Sequence, residues 1–500
     1  MTEIVIGLDS STTSSKAIAW DRHGQAVAVA AAPVPMTSFP PNAFEQNPAD
    51  WWNAACAALR QLMDQRPGQV AALAIANQRE TVGFLDAAGE AVRPALVWLD
   101  ERCRPDVAPL VRDLTLEHLR DTTGKTPDPT PALYSIAWLR RNEPQAFART
   151  ARFVDVHGYL AWRLTGRRAT SWASADPHGA WDIARKRFDP AILGWLGLTA
   201  ERFFAPQRPG SLLGQVTAEA AQRTGLPAGT ALICGGGDGQ AGALGCGVLG
   251  AGRACLNLGT ATVCGVHGDE ALTGPHWRTM TSLAEGYVFE LVLRTGAFLT
   301  DWMVQRLLGL DPRAPASFAR LEEEAAPLPP GSEGLLLLPH WSGIMNPHWT
   351  MDARGVIAGL GPEHHRGHVY RALIEGIALE MAEGCAALAE RGVVLHEIVA
   401  IGGGAKSPLW RRIMADAIGH DVLVSGTVEA TALGAGMLAA HAAGWYPTLA
   451  ETASAMQGTV QQRLQPDPAA AARYRSLRAI HRRMFPAMQQ IFTELAAWRA

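Results

Sequence analysis

The residue best placed to do chemistry in this 500-residue chain is Asp238, which stands in the run Cys-Gly-Gly-Gly-Asp-Gly-Gln at positions 234–240. An apolar run at 230–234 predicts a buried strand, the glycines predict a tight turn, and the segment from Gln240 predicts a helix. A carboxylate at such a strand-to-helix switch lies where α/β proteins bind ligands, and flanking glycines let a substrate approach the backbone. Asp238 is therefore the candidate catalytic base. The alternative is an aspartate that only caps the helix, and this stretch taken alone favours that alternative.

Two polar clusters lie where apolar runs end. The first follows the strand predicted at 70–76, and the second follows the run at 95–97. Polar side chains at strand ends can bind substrate hydroxyl groups. Each has a structural alternative. Arg79 and Glu80 could be an exposed ion pair of little energetic consequence, Asp100 and Arg102 a pair at a helix start, and Trp98 a core residue. The candidate substrate-binding residues are Gln78, Arg79, Glu80, Trp98, Asp100, Asp238 and Gln240.

Three turns rich in small residues, at 10–15, 259–262 and 402–407, suit the binding of phosphate groups. Backbone N–H groups and hydroxyls in such turns can surround phosphate oxygens without a clash from larger side chains. Each turn alone is more often an ordinary β-turn.

Two known nucleotide-binding motifs are excluded. Residues 237–242 satisfy the dinucleotide-binding pattern G-x-G-x-x-G, but no acidic residue ends the following strand, as that motif requires. The turn at 402–407 is similar to a P-loop, but Ala400 and Ala405 occupy the two positions that the P-loop motif reserves for glycine.

The elements that position these residues form a repeated pattern. Strands predicted at 4–9, 16–20 and 26–30 open the chain as an antiparallel set, and a similar strand, turn and strand recur at 253–266. The segment 105–227 is expected to be mostly helical and to wall the cleft. The sequence thus predicts an α/β protein with two domains of the same architecture, at 1–247 and 248–500.

Composition excludes several classes of partner. The net charge is −3, from 44 basic and 47 acidic residues, and 48% of the residues are hydrophobic. This balance leaves no basic surface for nucleic acid or for an anionic membrane. The chain has no charged leader before a long apolar segment, which predicts a cytoplasmic location. Its seven cysteines include no C-x-x-C pair and predict scattered thiols.

Taken together, these motifs resemble the FGGY family of carbohydrate kinases, which have the actin/Hsp70/sugar-kinase fold. The resemblance covers roughly residues 4–440 and includes the segments 9–16, 78–80, 355–360 and 368–375. It implies two RNase H-like domains that flank a central cleft, with helical insertions. It also implies that Asp238 is the base and that Asp9 and Asp238 hold Mg²⁺. The implied nucleotide-binding residues are Thr12, Thr13, Lys16, Gly259, Thr260, Gly404, Ala405 and Ser407.

Four positions depart from the family pattern. Serines stand at 11 and 135, where the family has a glycine and a lysine, while Thr130 and Gly239 replace a tyrosine and a glutamine of glycerol kinases. The Gln-Arg-Glu run at 78–80 resembles glycerol kinases, whereas residues 299–302 and 403–410 resemble xylulokinases. Because two large side chains are missing, we expect a pocket that accepts more than a three-carbon polyol.

The resemblance implies ATP-dependent phosphorylation of a sugar or polyol, with ATP and Mg²⁺ required. We expect a ketopentose such as xylulose, with glycerol or another polyol as the alternative. A nucleotide-dependent clamp without a sugar substrate is a further alternative, because fold alone does not determine function. The expected partners are a small sugar or polyol and ATP, without nucleic acid or membrane, and a homodimer is left open.

Overall fold

The computed structural model describes residues 2–426 and 429–499, so the outermost residues of the two predicted domains, 1 and 500, lie outside the described residues. The strands are β1 Glu3–Ser10, β2 Ser14–Trp20, β3 Ala26–Pro33, β4 Thr37–Phe39, β5 Ala43–Gln46, β6 Gln69–Asn77, β7 Val82–Leu85, β8 Ala91–Leu96, β9 Arg152–Val154, β10 Ala169–Ser171, β11 Trp181–Asp182, β12 Arg187–Phe188, β13 Ala205–Gln207, β14 Leu212–Gln215, β15 Ala231–Gly237, β16 Gly252–Leu258, β17 Thr262–Gly268, β18 Arg278–Thr281, β19 Tyr287–Leu293, β20 Leu336–Leu338, β21 Val356–Ala358, β22 Leu395–Ile401, β23 Asp421–Ser425 and β24 Val460–Leu464.

The helices are α1 Pro48–Asp64, α2 Val107–Leu114, α3 Leu116–Thr123, α4 Ala132–Asn142, α5 Pro144–Arg149, α6 Val156–Thr165, α7 Trp172–Ala175, α8 Pro190–Trp195, α9 Ala218–Thr224, α10 Asp238–Gly245, α11 Ala297–Arg306, α12 Pro315–Ala325, α13 Arg366–Glu390, α14 Pro408–Ile418, α15 Ala430–Ala442, α16 Leu449–Met456, α17 Pro468–His481 and α18 Met484–Arg499. Among the described residues, none of the helices combines the length and the apolar character that a membrane span requires.

Two large sheets share one topology. The first has the order β14-β15-β6-β1-β2-β3, in which β1, β2 and β3 are antiparallel neighbours and β6 and β15 run parallel to β1. The second has the order β18-β19-β17-β16-β22-β23-β24, in which β16, β17 and β19 are antiparallel and β22 and β23 run parallel to β16. The predicted antiparallel opening and its recurrence in the second half are confirmed.

Strand β1 is apolar on both faces because helices cover both faces of its sheet. Ile4, Ile6 and Leu8 pack with residues of α1, whereas Val5 points to the other face and packs with residues of α15. The helix α1 begins at Pro48, and the side chain of Asn47 accepts a hydrogen bond from the backbone of Ala49 and caps it.

The helices α10 and α15 lie between the two sheets. Residues of α15 belong to the core of the first sheet, although α15 comes from the second half of the chain. Ala243 of α10 packs with Cys255 and Val399 of the second sheet. The division at 247/248 stays a prediction, and α15 shows that the two halves share a core.

The segment 105–227 is not uniformly helical. Beside helices α2 to α9 it contains the short strands β9 to β14, and β9 extends a five-stranded sheet with β4, β5, β7 and β8. Its cluster of aromatic and aliphatic residues includes Tyr134, Phe153 and Trp181, which are buried. These contacts form a separate core beside the first sheet.

Candidate active site

Asp238 and Asp9 lie at the same edge of the first sheet. Asp9 pairs with Ala76 of β6 on one side, and Gly236 pairs with Ala76 from the other side. Because β1, β6 and β15 are parallel, their carboxyl ends meet at this edge. Asp238, two residues beyond Gly236, therefore comes within electrostatic range of Asp9, and after burial its charge is the next contribution that raises the pKa of Asp9.

The glycines before Asp238 do not form the predicted turn. They continue the strand β15 to Gly237, and α10 begins at Asp238 with Gly237 as its N-cap, so the helix-capping alternative for Asp238 is wrong. A Cβ at Gly237 would lie within 2.4 Å of Arg79 Cδ. Glycine is needed at this position because the Arg79 side chain lies against the strand.

Asp238 opens on a cleft of about 180 Å³ and keeps 41% of its side-chain surface exposed. Its Oδ1 atom lies 3.2 Å from Nε of Arg79 and accepts a hydrogen bond from the backbone of Gly239. Loss of solvation inside the cleft raises the pKa of Asp238 above its usual value although part of the side chain is exposed; the Arg79 guanidinium opposes the shift, and Glu80 adds to it. A carboxylate with a raised pKa is a better proton acceptor.

Asp9 could hold a divalent cation together with Asp238. Burial and the charge of Asp238 raise the pKa of Asp9 to about 7, while Lys16 opposes the shift. Its Oδ1 atom is buried and has no hydrogen-bond partner in the part of the chain that the structure describes. Within the same residues, no group of three or more His, Cys, Asp and Glu side chains could form a metal site. Two carboxylates fit Mg²⁺, which takes one or two of them together with phosphate oxygens and water.

Four charged side chains join the first half of the chain to the second beside Asp238. Arg79 Nη1 donates to Glu290 Oε1 at 2.7 Å, and Arg278 pairs with Glu80. Burial disfavours the charge of Arg79, but Glu290, Glu80 and Asp238 outweigh it and raise the pKa of the guanidinium. Arg79 therefore stays protonated between two carboxylates.

The other predicted substrate-binding residues have protein partners. The amide of Gln78 donates to Gln46 at 3.0 Å and accepts from Thr81 at 2.9 Å, and that of Gln240 donates to the carbonyl of Ala173 at 3.2 Å. These two side chains position neighbouring segments.

The second polar cluster is also held by the protein. Asp100 is 3% exposed, pairs with Arg102 at 2.7 Å and accepts from the backbone of Phe44. Trp98 is 38% exposed, and its Nε1 donates to Thr12 Oγ1 at 2.9 Å. A tryptophan predicted to contact sugar thus contacts a threonine predicted to contact phosphate.

The predicted phosphate turns lie at the carboxyl ends of parallel strands. Thr12 and Thr13 follow β1, and Gly259 and the exposed Thr260 follow β16. The carbonyl of Gly259 accepts a hydrogen bond from Ala297 at the start of α11.

Lys16 in β2 points to the second half of the chain and pairs with Glu429 at 2.8 Å. Both partners keep about a third of their surface exposed, at 32% and 34%.

A second cavity of about 550 Å³ lies beside the third turn. Gly404 and Ser407 line it, together with residues of α11 and α12. Ala405 is next to this lining but is buried, and the hydroxyl of Ser407 accepts from the backbone of Trp410 and so caps α14. The hydroxyl of Ser407 is therefore used in holding the helix that borders the cavity.

Sequence reasoning missed Glu290 and Arg278. Arg278 opens the strand β18, and Glu290 is the single charge in the otherwise apolar run Tyr-Val-Phe-Glu-Leu-Val-Leu of β19. A buried charge in a strand needs a partner, so this break in the apolar pattern is the signal that could have found it. The partner itself, Arg79, lies more than 200 positions away in the chain and cannot be inferred from spacing.

Comparison with known proteins agrees with this geometry. Residues 4–245 match the FGGY family of carbohydrate kinases, N-terminal domain, and residues 254–443 match the C-terminal domain of the same family. The chain is 30% identical over 488 residues to a xylulose kinase from Escherichia coli strain K12, covering 96% of this chain and 98% of that protein. It is 30% identical to an autoinducer-2 kinase from Klebsiella pneumoniae, covering 90% of this chain and 87% of that protein.

A crystal structure of xylulose kinase from Rhodospirillum rubrum superposes with a TM-score of 0.91 at 29% identity, covering 98% of this chain and 100% of the other. The family match extends over most of both large sheets, leaving out β24, and over the edge that carries Asp9 and Asp238. The chain therefore belongs to the FGGY family of carbohydrate kinases and is an ATP-dependent sugar kinase.

Proposed function

We propose that this sugar kinase phosphorylates a ketopentose such as xylulose, with Asp238 as the catalytic base. The observation that carries the proposal is the Asp238 carboxylate, which opens on a cleft between the two sheets and lies 3.2 Å from Arg79. A sugar hydroxyl in this cleft has an acceptor for its proton and a cation within reach. Family membership favours this chemistry over a clamp that binds only nucleotide.

In the proposed reaction, Asp238 accepts the proton of the attacking hydroxyl while the sugar oxygen forms a bond to the γ-phosphorus of ATP and the bond to ADP breaks. Arg79 holds the carboxylate from one side, and Glu290 holds Arg79. Asp9 and Asp238 would hold Mg²⁺, which when bound offsets the charge of the phosphate groups. The protein mainly positions the reactants, as phosphoryl transfer requires little covalent chemistry from it.

The proposed ATP site extends from the edge near Asp9 to the second cavity. Thr12, Thr13, Gly259 and Thr260 would contact phosphate oxygens, and the cavity lined by Gly404 would take the adenosine. Closure of the two domains on the sugar would exclude water, which otherwise competes as a phosphate acceptor.

The substrate assignment rests on the relatives and on the pocket. Two of the similar proteins are xylulose kinases, and Thr130 replaces a larger tyrosine that glycerol kinases use. Glycerol or another polyol remains the second candidate, because Arg79 and Glu80 reproduce the pair found in glycerol kinases.

A kcat/KM panel of glycerol, erythritol, xylitol, ribulose, xylulose and fructose tests the assignment through ADP release. We expect a ketopentose to be the best substrate. A preference for glycerol of more than tenfold would overturn the substrate assignment, and no stimulation by any compound would overturn the proposed function.

A further inference from the structure

Gly239 leaves room for an ion pair. A Cβ added at this position would lie 2.7 Å from Glu290 Oε1 and 3.0 Å from Arg79 Nη2. Neither distance suits an ordinary carbon contact, which is about 3.3 Å or more to oxygen. The space beside the catalytic aspartate is thus occupied by a carboxylate and a guanidinium, so the absence of a side chain at 239 does not leave an empty volume.

Glu290 reaches this space from the second sheet. Its neighbours in β19, Phe289 and Leu291, are fully buried, and its own side chain is 1% exposed. One carboxylate oxygen accepts from Arg79, whereas the other, Oε2, is buried without a hydrogen-bond partner among residues 2–426 and 429–499. Such an oxygen costs free energy until a donor reaches it. Glu290 lines the same cleft as Asp238, where a sugar would bring hydroxyl donors.

We propose that Glu290 is a substrate-binding residue that accepts a hydrogen bond from one hydroxyl of the sugar. The inference rests on the proposed function, because it takes the sugar to lie between Asp238 and Arg79. An ionised carboxylate is an acceptor only, so Glu290 selects a group that donates. It supplies from the second sheet the polar contact that a side chain at 239 would otherwise make.

The same arrangement selects against acidic substrates. Asp238 and Glu290 bring two carboxylates to a cleft of about 180 Å³, and the Arg79 guanidinium contacts both. A sugar acid would bring a third carboxylate beside them, and like charges at such distances repel. The substrate class is therefore a neutral ketose or polyol, and we expect aldonic acids such as gluconate to be poor substrates.

The substitution Glu290→Gln tests the contact because it keeps the volume of the side chain and removes its charge. With the sugar that the wild type prefers, we expect kcat/KM to fall about tenfold or more, mainly through KM, while ADP binding is unchanged. Glu285→Gln is the matched control, since Glu285 belongs to the same β18–β19 hairpin and is 84% exposed. This control should leave kcat/KM unchanged.

Monodeoxy analogues of the same sugar distinguish a direct contact between Glu290 and the sugar from an indirect effect through the position of Arg79. For the analogue that lacks the hydroxyl bound by Glu290, the loss of kcat/KM caused by Glu290→Gln should be clearly smaller than for the other analogues, which keep the full loss. An equal loss with every analogue would mean that Glu290 acts only by positioning Arg79, and would overturn the inference while leaving the proposed function intact.

Gly239→Ala provides a second, independent variant. Its Cβ would displace the Glu290 and Arg79 side chains, so it should show the same dependence on the analogue as Glu290→Gln. If neither variant distinguishes among the analogues, the inference is wrong. A wild-type enzyme that releases no ADP with any sugar would overturn the proposed function and this inference together.

Discussion

Replacing Gly434 of α15 by alanine tests how the centre of the molecule is packed. A Cβ at 434 would lie 1.9 Å from the carbonyl oxygen of Ala241 in α10 and 3.0 Å from the backbone nitrogen of Gly245. Ordinary C···O contacts are about 3.3 Å or longer, so the two helices must separate by roughly 1.4 Å. Overpacking of this kind costs about 1–3 kcal/mol, and the obstacle here is backbone that cannot change rotamer.

The gain in helix propensity from glycine to alanine is about 1 kcal/mol and opposes this cost. Because the obstacle is rigid backbone, the overpacking cost lies at the upper end of its range, about 3 kcal/mol. After the opposing gain of about 1 kcal/mol, we expect Gly434→Ala to lower the free energy of unfolding by about 2 kcal/mol. It should also lower kcat, because α10 begins at Asp238 and moves with the contact.

Urea denaturation of Gly434→Ala, compared with Gly194→Ala, measures this effect. Gly194 lies in α8, and an added Cβ there meets no atom within 4 Å. The control should be as stable as the wild type or more stable, by up to about 1 kcal/mol. If Gly434→Ala matched the control in stability and the wild type in kcat, the close packing of α10 and α15 would be refuted.

Two further predictions concern pH. Burial lowers the pKa of His157 to about 4, and its neutral Nε2 accepts from the backbone of Gly235, so its contribution to stability is present above about pH 6.5 and is lost as pH falls toward 4. In the wild type this loss is worth up to about 3 kcal/mol. The side chain of His157→Gln cannot titrate, so the free energy of unfolding of this variant should fall less in acid. If the two proteins lost the same stability between about pH 6.5 and about pH 4 in unfolding experiments, the role of His157 would be contradicted. The raised pKa of Asp9 has the opposite sign, because the wild type loses stability as pH rises from about 4 through about 7. Asp9→Asn should therefore be more stable than the metal-free wild type at pH 8 but not at pH 4, and should lose Mg²⁺-dependent turnover. If the difference in stability between Asp9→Asn and the wild type did not change with pH, the raised pKa of the buried Asp9 would be contradicted.

The fold could be predicted largely from the sequence because its strands have a clear period and its opening pattern recurs. The position of α15 could not be predicted in this way. Its sequence is almost entirely Ala, Gly, Leu and Met, so no apolar face stands out, and its partners in β1 lie more than 400 positions earlier. The strand conformation of the glycines before Asp238 was also missed. Glycine is needed there for the close approach of the Arg79 side chain and not for a turn.

The candidate site was predicted in part for a physical reason. Strand ends carry the signal that places Arg79 and Asp238 at one edge, since parallel strands bring their carboxyl ends together, and Asp9 was added by the family resemblance. Residue type alone does not separate a substrate contact from a structural one. Gln78 and Asp100 are polar and follow strands, yet their side chains bond to other residues of the protein. The place of Glu290 in the site could not be predicted without knowing its contact with Arg79, which joins the two halves of the chain.

The turnover of Asp238→Asn tests the central claim most directly. Asparagine keeps the shape of the side chain but cannot accept the hydroxyl proton, and general-base catalysis contributes about 10²–10⁴-fold. We expect kcat with the preferred sugar to fall by at least about 10²-fold, while ADP binding and the unfolding temperature stay close to those of the wild type. A variant that binds ADP normally and retains kcat within a few-fold of the wild type would contradict the assignment of Asp238 as the base.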